Sequence, residues 1–133
     1  MLPKAQFKQL MASIAQICPV DERYYFEAAG DEMIDQIYRG KNPVDELKAN
    51  AGYQHGHRLG PEVLMGLQVS AAAWATFRAV KELPRVNIRS NSAKMDFAAL
   101  WRTALIKNQV PEPITDKIIK ETIDTAYGMI KSM

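Results

Sequence analysis

A long uncharged stretch between Val63 and Phe77 limits the folds that this chain can adopt. Wound into a helix, it places apolar residues on almost every side and leaves no wide polar stripe. A helix of this kind is normally buried by its neighbours. We therefore predict a central hydrophobic helix over about residues 61–83.

The sequence also marks both ends of this helix. Gly60 suits the N-cap, Pro61 suits the first helical position, and Glu62 is an acidic residue in the first turn. Pro84 stops the helix at its other end, because proline cannot donate the next backbone hydrogen bond. The prediction thus has a start signal, a stop signal and an apolar body.

Length and composition fit one globular domain covering residues 1–133. The chain is 47% hydrophobic and 24% charged, which is enough apolar content for a single core without disulfide or metal support. The uncharged run is shorter than the roughly 20 residues that a membrane span needs. We expect no membrane segment.

Cys18 is the only cysteine, so the chain can form no internal disulfide. The first ten residues contain Lys4 and Lys8 and lack the continuous apolar segment of a secretory signal. Both observations favour a cytoplasmic protein.

Apolar residues recur at helical spacing on both sides of the central helix. The predicted helices cover 3–17, about 20–39 (continuous or divided at Gly30), about 42–51 and about 90–108, with a last helix capped by Thr115. We interpret Gly52–Gly60 as a loop and Arg85–Ser90 as a linker. The predicted fold class is all-α, a single domain of five to six helices around the central helix.

The predicted loop contains the most suggestive polar cluster, and we name its members as partner-binding candidates: Tyr53, His55, His57 and Arg58. Loops that combine glycine with polar side chains often carry function. A second alternative is a metal-binding protein or small enzyme that uses His55 and His57. Two histidines alone do not complete a metal site, and carboxylates such as Glu27 or Glu32 would have to come from elsewhere. We assign no metal.

No motif for covalent catalysis or nucleotide binding occurs in the sequence. The G-x-S-x-G, P-loop and G-x-G-x-x-G patterns are absent. Cys18 lies on the apolar side of the first helix, and Ser70 lies inside the central helix, where its hydroxyl is expected to bond to a carbonyl one turn earlier. We therefore assign no catalytic residue and no cofactor.

Charge is distributed unevenly along the chain. Residues 21–46 contain eight acids against three bases, and residues 78–107 contain seven bases against two acids. The basic segment supports an alternative function, a nucleic-acid-binding regulator that uses the surface from Arg85 to Lys107. Its candidate residues are Arg85, Arg89, Lys94 and Arg102.

A degenerate helix-turn-helix pattern adds to that alternative. Residues 64–77 match its spacing loosely, but Gln68 replaces the turn glycine and Leu64 replaces the small residue of the first helix. The second helix would present alanines, which have no donors for base edges.

The leading interpretation is a non-enzymatic interaction or regulatory protein. Its aromatic and methionine side chains exceed what six short helices must bury, and aromatics with arginine are typical of interface centres. We expect a protein partner, or self-association as a dimer, through the loop of Tyr53–Arg58 and the surface of Arg85–Arg102.

Overall fold

The computed structural model describes residues 1–55, 65–83 and 91–133. Within these residues the chain is all-α, as predicted, and contains six helices. They are α1 (Lys4–Ile17), α2 (Val20–Tyr38), α3 (Pro43–His55), α4 (Leu67–Glu82), α5 (Ala93–Lys107) and α6 (Glu112–Lys131).

The α2 helix is continuous through Gly30. A Cβ atom at Gly30 would lie 3.1 Å from the ring of Phe26, so the missing side chain leaves room for that ring. Gly30 therefore allows the Phe26 ring to pack closely against α2, and it does not end the helix.

The α3 helix begins as the sequence predicts and ends later. The Oδ1 atom of Asn42 accepts a hydrogen bond of 3.0 Å from the backbone N–H of Val44, which makes Asn42 the N-cap. The helix continues to His55, so the prediction of a loop starting at Gly52 is wrong. A glycine inside a helix costs only about 1 kcal/mol relative to alanine, which is too little to force an end.

The α4 helix is the predicted central helix, although it begins at Leu67 and not near residue 61. Gly66 occupies the N-cap position with φ of 92°, a left-handed conformation that suits glycine. The proposed start signals, Gly60 to Glu62, lie outside the described residues. The helix packs against α1, α2, α3 and α5.

The α6 helix begins at Glu112, so the prediction of Thr115 as its N-cap is wrong. Pro111 is the N-cap residue, and Pro113 lies in the first turn. Backbone N–H groups in a first turn have no acceptor within the helix, so proline loses no hydrogen bond there. Thr115 is buried, and its backbone N–H donates to the carbonyl of Pro111. The α5 helix has its N-cap at Ser92, within the predicted range.

The helices enclose one hydrophobic core, to which every helix with described side chains contributes. The ring of Phe7 meets those of Tyr38 and Phe77 edge to face, with centroids 5.8 and 6.0 Å away. Trp101 is fully buried, and its Nε1–H donates to the hydroxyl oxygen of Thr76 at 2.9 Å. None of the helices in the described ranges combines the length and hydropathy that crossing a bilayer requires.

Candidate partner-binding groove

Most of the residues predicted to form a site lie where the structure gives no side-chain placement. Tyr53 and His55 belong to the last turns of α3, while His57, Arg58, Arg85 and Arg89 lie outside the described ranges. The interaction and metal hypotheses for the histidine segment therefore stay predictions. Among the residues that are described, no group of three or more His, Cys, Asp or Glu side chains is arranged to hold a metal ion.

Lys94 and Arg102, the two described candidates for nucleic-acid binding, form ion pairs with α6. Lys94 pairs with Asp124. The guanidinium of Arg102 lies 3.0 Å from Glu112 Oε1 and 2.8 Å from Asp116 Oδ1. Both cations thus have carboxylate partners that would compete with phosphate. The α4 helix (Leu67–Glu82) passes through Gln68 without a turn, so the prediction of a helix-turn-helix over residues 64–77 is wrong. Nucleic-acid binding through the basic surface stays a prediction, and Arg85 and Arg89 lie outside the described residues.

A groove of about 390 Å³ runs between α4 and α5. Its lining residues recur at helical spacing on the two facing ridges: Trp74, Arg78 and Glu82 from α4, and Leu100, Thr103, Ala104, Lys107 and Asn108 from α5 and its C-cap. Residues four apart stack on one face of a helix, so each helix supplies one wall. We call this feature the α4–α5 groove.

Trp74 forms the aromatic part of the α4–α5 groove. Its ring is only partly buried, and it stacks on Phe77 with centroids 5.9 Å apart and planes 17° apart. The guanidinium of Arg78 lies 5.9 Å from the centre of the indole. An arginine held over a tryptophan presents a flat, cationic and partly apolar surface.

The charge of the α4–α5 groove is mainly positive. Arg78 and Lys107 are exposed, and neither forms an ion pair within the part of the chain that the structure describes. Of the described residues in the lining, Glu82 alone is acidic. The other described cations are divided: Lys4, Lys8, Lys94 and Arg102 are paired with carboxylates, whereas Lys117 and Lys120, on α6, take part in none of these ion pairs. The groove is therefore a place where cationic groups remain available to an anionic group from another molecule.

The outer side of α5 extends this surface. Met95 is 75% exposed and Ile106 is 42% exposed, although α5 already buries Phe97 and Trp101 on its inner side. Ile106 also lines a shallow depression of about 520 Å³ that adjoins the groove at Thr103 and Lys107.

Cys18 and Ser70, the two nucleophiles considered from the sequence, are both buried. Burial and the nearby carboxylate of Glu22 raise the pKa of the Cys18 thiol to about 12, so it remains protonated at neutral pH. The hydroxyl of Ser70 donates to the sulfur of Met33 at 3.3 Å. The prediction that it bonds to a carbonyl one turn earlier is therefore wrong. Both groups are buried parts of the packing.

Sequence reasoning did not locate the α4–α5 groove, because it placed Trp74 in a helix predicted to be buried on almost every side, although it also counted the aromatic residues as interface candidates. The spacing of Trp74, Arg78 and Glu82 on one face was a usable signal. The opposite wall could not be inferred, because it depends on how α5 packs against α4.

No protein-family model matches this chain, and no curated protein or solved structure matches it either.

Proposed function

We propose that this protein is a non-enzymatic interaction protein that binds a carboxylate-bearing segment of a protein in the α4–α5 groove. The observation that carries the proposal is the pairing of a partly exposed Trp74 with Arg78, beside a second cation, Lys107. Tryptophan and arginine are the residues that most often dominate interface energies.

The shape of the surface supports a protein segment as the ligand. The groove continues into the depression at Ile106, which gives an elongated track with apolar contacts along it. An amphipathic segment laid along two helices makes contacts of this kind through its apolar side. Its carboxylates would meet Arg78 and Lys107, and these contacts would fix its orientation.

A cytoplasmic location is part of the proposal. It rests on the single cysteine, which offers no disulfide for an oxidising compartment.

Site-specific photo-crosslinking tests the proposal. A benzoylphenylalanine at Thr103, in the groove, is compared in the source cell with one at Thr125, which is also exposed but lies on α6. We expect a protein adduct at position 103 and none at position 125. The captured protein is then purified, and its affinity is measured by calorimetry.

Two variants make this measurement decisive. We expect Trp74→Ala to weaken binding by about 30-fold or more, since a central tryptophan contributes about 2 kcal/mol or more. Arg78→Ala with Lys107→Ala changes only exposed side chains and should weaken binding and reduce its dependence on salt. Circular dichroism verifies that both variants fold. An adduct at both positions, or affinities that neither variant changes, would overturn the proposal.

A further inference from the structure

A second surface of the molecule carries the opposite charge. A cavity of about 180 Å³ lies between α2 and the start of α3. Its lining combines acidic and polar groups with apolar walls: Tyr25, Ala29, Glu32, Met33, Gln36, Pro43, Glu46 and Leu47. We call this the α2–α3 cavity.

The α2–α3 cavity is negative because its carboxylates are not neutralised nearby. Among the residues that the structure describes, no lysine or arginine lines it. The amide of Gln36 donates a hydrogen bond to Glu46 Oε2 at 3.5 Å, whereas Glu32 is exposed and has no ion pair with any residue in the described ranges. Burial and the carboxylates of Glu32 and Glu22 raise the pKa of the Tyr25 phenol, as a negative environment does.

The α2–α3 cavity has the chemistry to accept one long basic side chain. Met33 and Leu47 provide apolar walls for the aliphatic part, and Glu32 and Glu46 provide carboxylates for the charged end. Lysine and arginine side chains bury their stems in this way and keep the charged group near polar partners. The two cations of the α4–α5 groove are both exposed and both carry such stems.

We propose that the segment bound in the α4–α5 groove is the acidic α2–α3 edge of a second copy of this chain, with Arg78 or Lys107 entering the α2–α3 cavity of that copy. This inference rests on the proposed function of the groove and names its partner. The groove and the cavity have no described lining residue in common. One chain can therefore use both surfaces at once, which makes the contact head-to-tail and extends it into rings or filaments.

Sedimentation velocity of the full chain tests the inference. We expect the wild-type protein to sediment faster as its concentration rises. Raising the salt from about 0.05 M to about 0.5 M should weaken the association at least tenfold, because exposed charges are screened at short range.

Two neutralised variants identify the surfaces. Arg78→Gln with Lys107→Gln removes the cations of the groove, and Glu32→Gln with Glu46→Gln removes the acids of the cavity. Each variant alone should remain a monomer. An equimolar mixture retains one intact pair of surfaces, so it should form a 1:1 dimer and nothing larger. The control for the groove variant is Lys117→Gln with Lys120→Gln, which also removes two positive charges, but from exposed positions on α6. It should associate like the wild type.

A wild-type protein that stays monomeric, variants that associate like the wild type, or a mixture that stays monomeric would each overturn the inference. Crosslinking from Thr103 tests the proposed function of the groove separately from the identity of its partner. A crosslink from Thr103 to a different protein, with binding lost in Trp74→Ala, supports the groove and excludes a second copy as its partner. Absence of any adduct from Thr103 counts against both.

Discussion

The carboxylate of Glu22 accepts a hydrogen bond of 2.7 Å from the backbone N–H of Gly66, so a side chain of α2 caps the central helix α4. Its other oxygen accepts from the N–H of Val69 at 2.8 Å. The first N–H groups of a helix have no partner within the helix and carry partial positive charge, which a carboxylate satisfies well. Glycine has no side chain with which to cap α4 itself, so Glu22 takes that role from a distant position.

Glu22→Ala should therefore lower the free energy of unfolding by about 3 kcal/mol, since it removes two charge-assisted hydrogen bonds from a site that is 8% exposed. Glu22→Gln keeps one good acceptor and should lose about half as much. Urea denaturation measures both. Glu27→Ala, at an exposed position on the same helix, is the control and should change the value by less than about 0.5 kcal/mol. Equal losses at positions 22 and 27 would contradict the capping role.

This cap also explains what the sequence could and could not predict. The helices and the buried central segment followed from local periodicity, which needs no knowledge of distant contacts. The start of α4 did not, because the carboxylate that caps it belongs to a residue far away in the chain. The start of α6 was placed too late, at Thr115, whereas Pro113 lies in its first turn, where proline is well tolerated. The α4–α5 groove could not be predicted for the same reason as the cap. Its walls come from two helices, and local sequence patterns do not show how those helices pack.

Substitutions at Gly66 and Gly40 can separate the cost of backbone strain from the cost of a steric clash. Both have positive φ, 92° and 83°, so an alanine at either position is strained. A Cβ atom at Gly66 would also lie 2.6 Å from the ring of Tyr25, whereas nothing lies within 4 Å of one at Gly40. We expect Gly40→Ala to cost about 1 kcal/mol from the backbone alone and Gly66→Ala at least about 3 kcal/mol. Thermal and urea denaturation measure both, and similar losses would show that the Tyr25 ring moves aside freely.

The hydroxyl of Thr76 joins α4 to α5 through Trp101. It donates to the carbonyl of Ala72 at 2.7 Å and accepts from the indole N–H at 2.9 Å. Thr76→Val keeps the shape but leaves that buried N–H without an acceptor, which should cost about 1–3 kcal/mol. Thr122 is the control, because it is also buried and donates to the carbonyl of Ile118. Thr122→Val should cost clearly less in urea denaturation, and an equal cost would mean that Trp101 finds another partner.

Cys18 should make the protein less stable in alkaline solution. Burial, together with repulsion by the Glu22 carboxylate, raises the pKa of its thiol from 9.0 to about 12. The unfolded chain, with an ordinary thiol pKa, loses its proton first as the pH rises. The contribution of the Cys18 thiol to the free energy of unfolding is therefore complete below about pH 9. It is lost as the pH rises toward 12, at up to about 1.4 kcal/mol per pH unit.

The comparison that isolates this effect is between the wild type and Cys18→Ala. Burial also raises the pKa of Tyr38 to about 12 and that of Tyr25, so both proteins should weaken above about pH 10. Those contributions are common to the two proteins and cancel in the difference between their free energies of unfolding. From pH 8 to about pH 10.5, that difference should move by about 2 kcal/mol in favour of Cys18→Ala, because only the wild type carries the thiol. Urea denaturation across this range provides the values. If the two pH profiles run parallel, the Cys18 thiol ionises as easily in the folded protein as in the unfolded chain, and the burial argument fails.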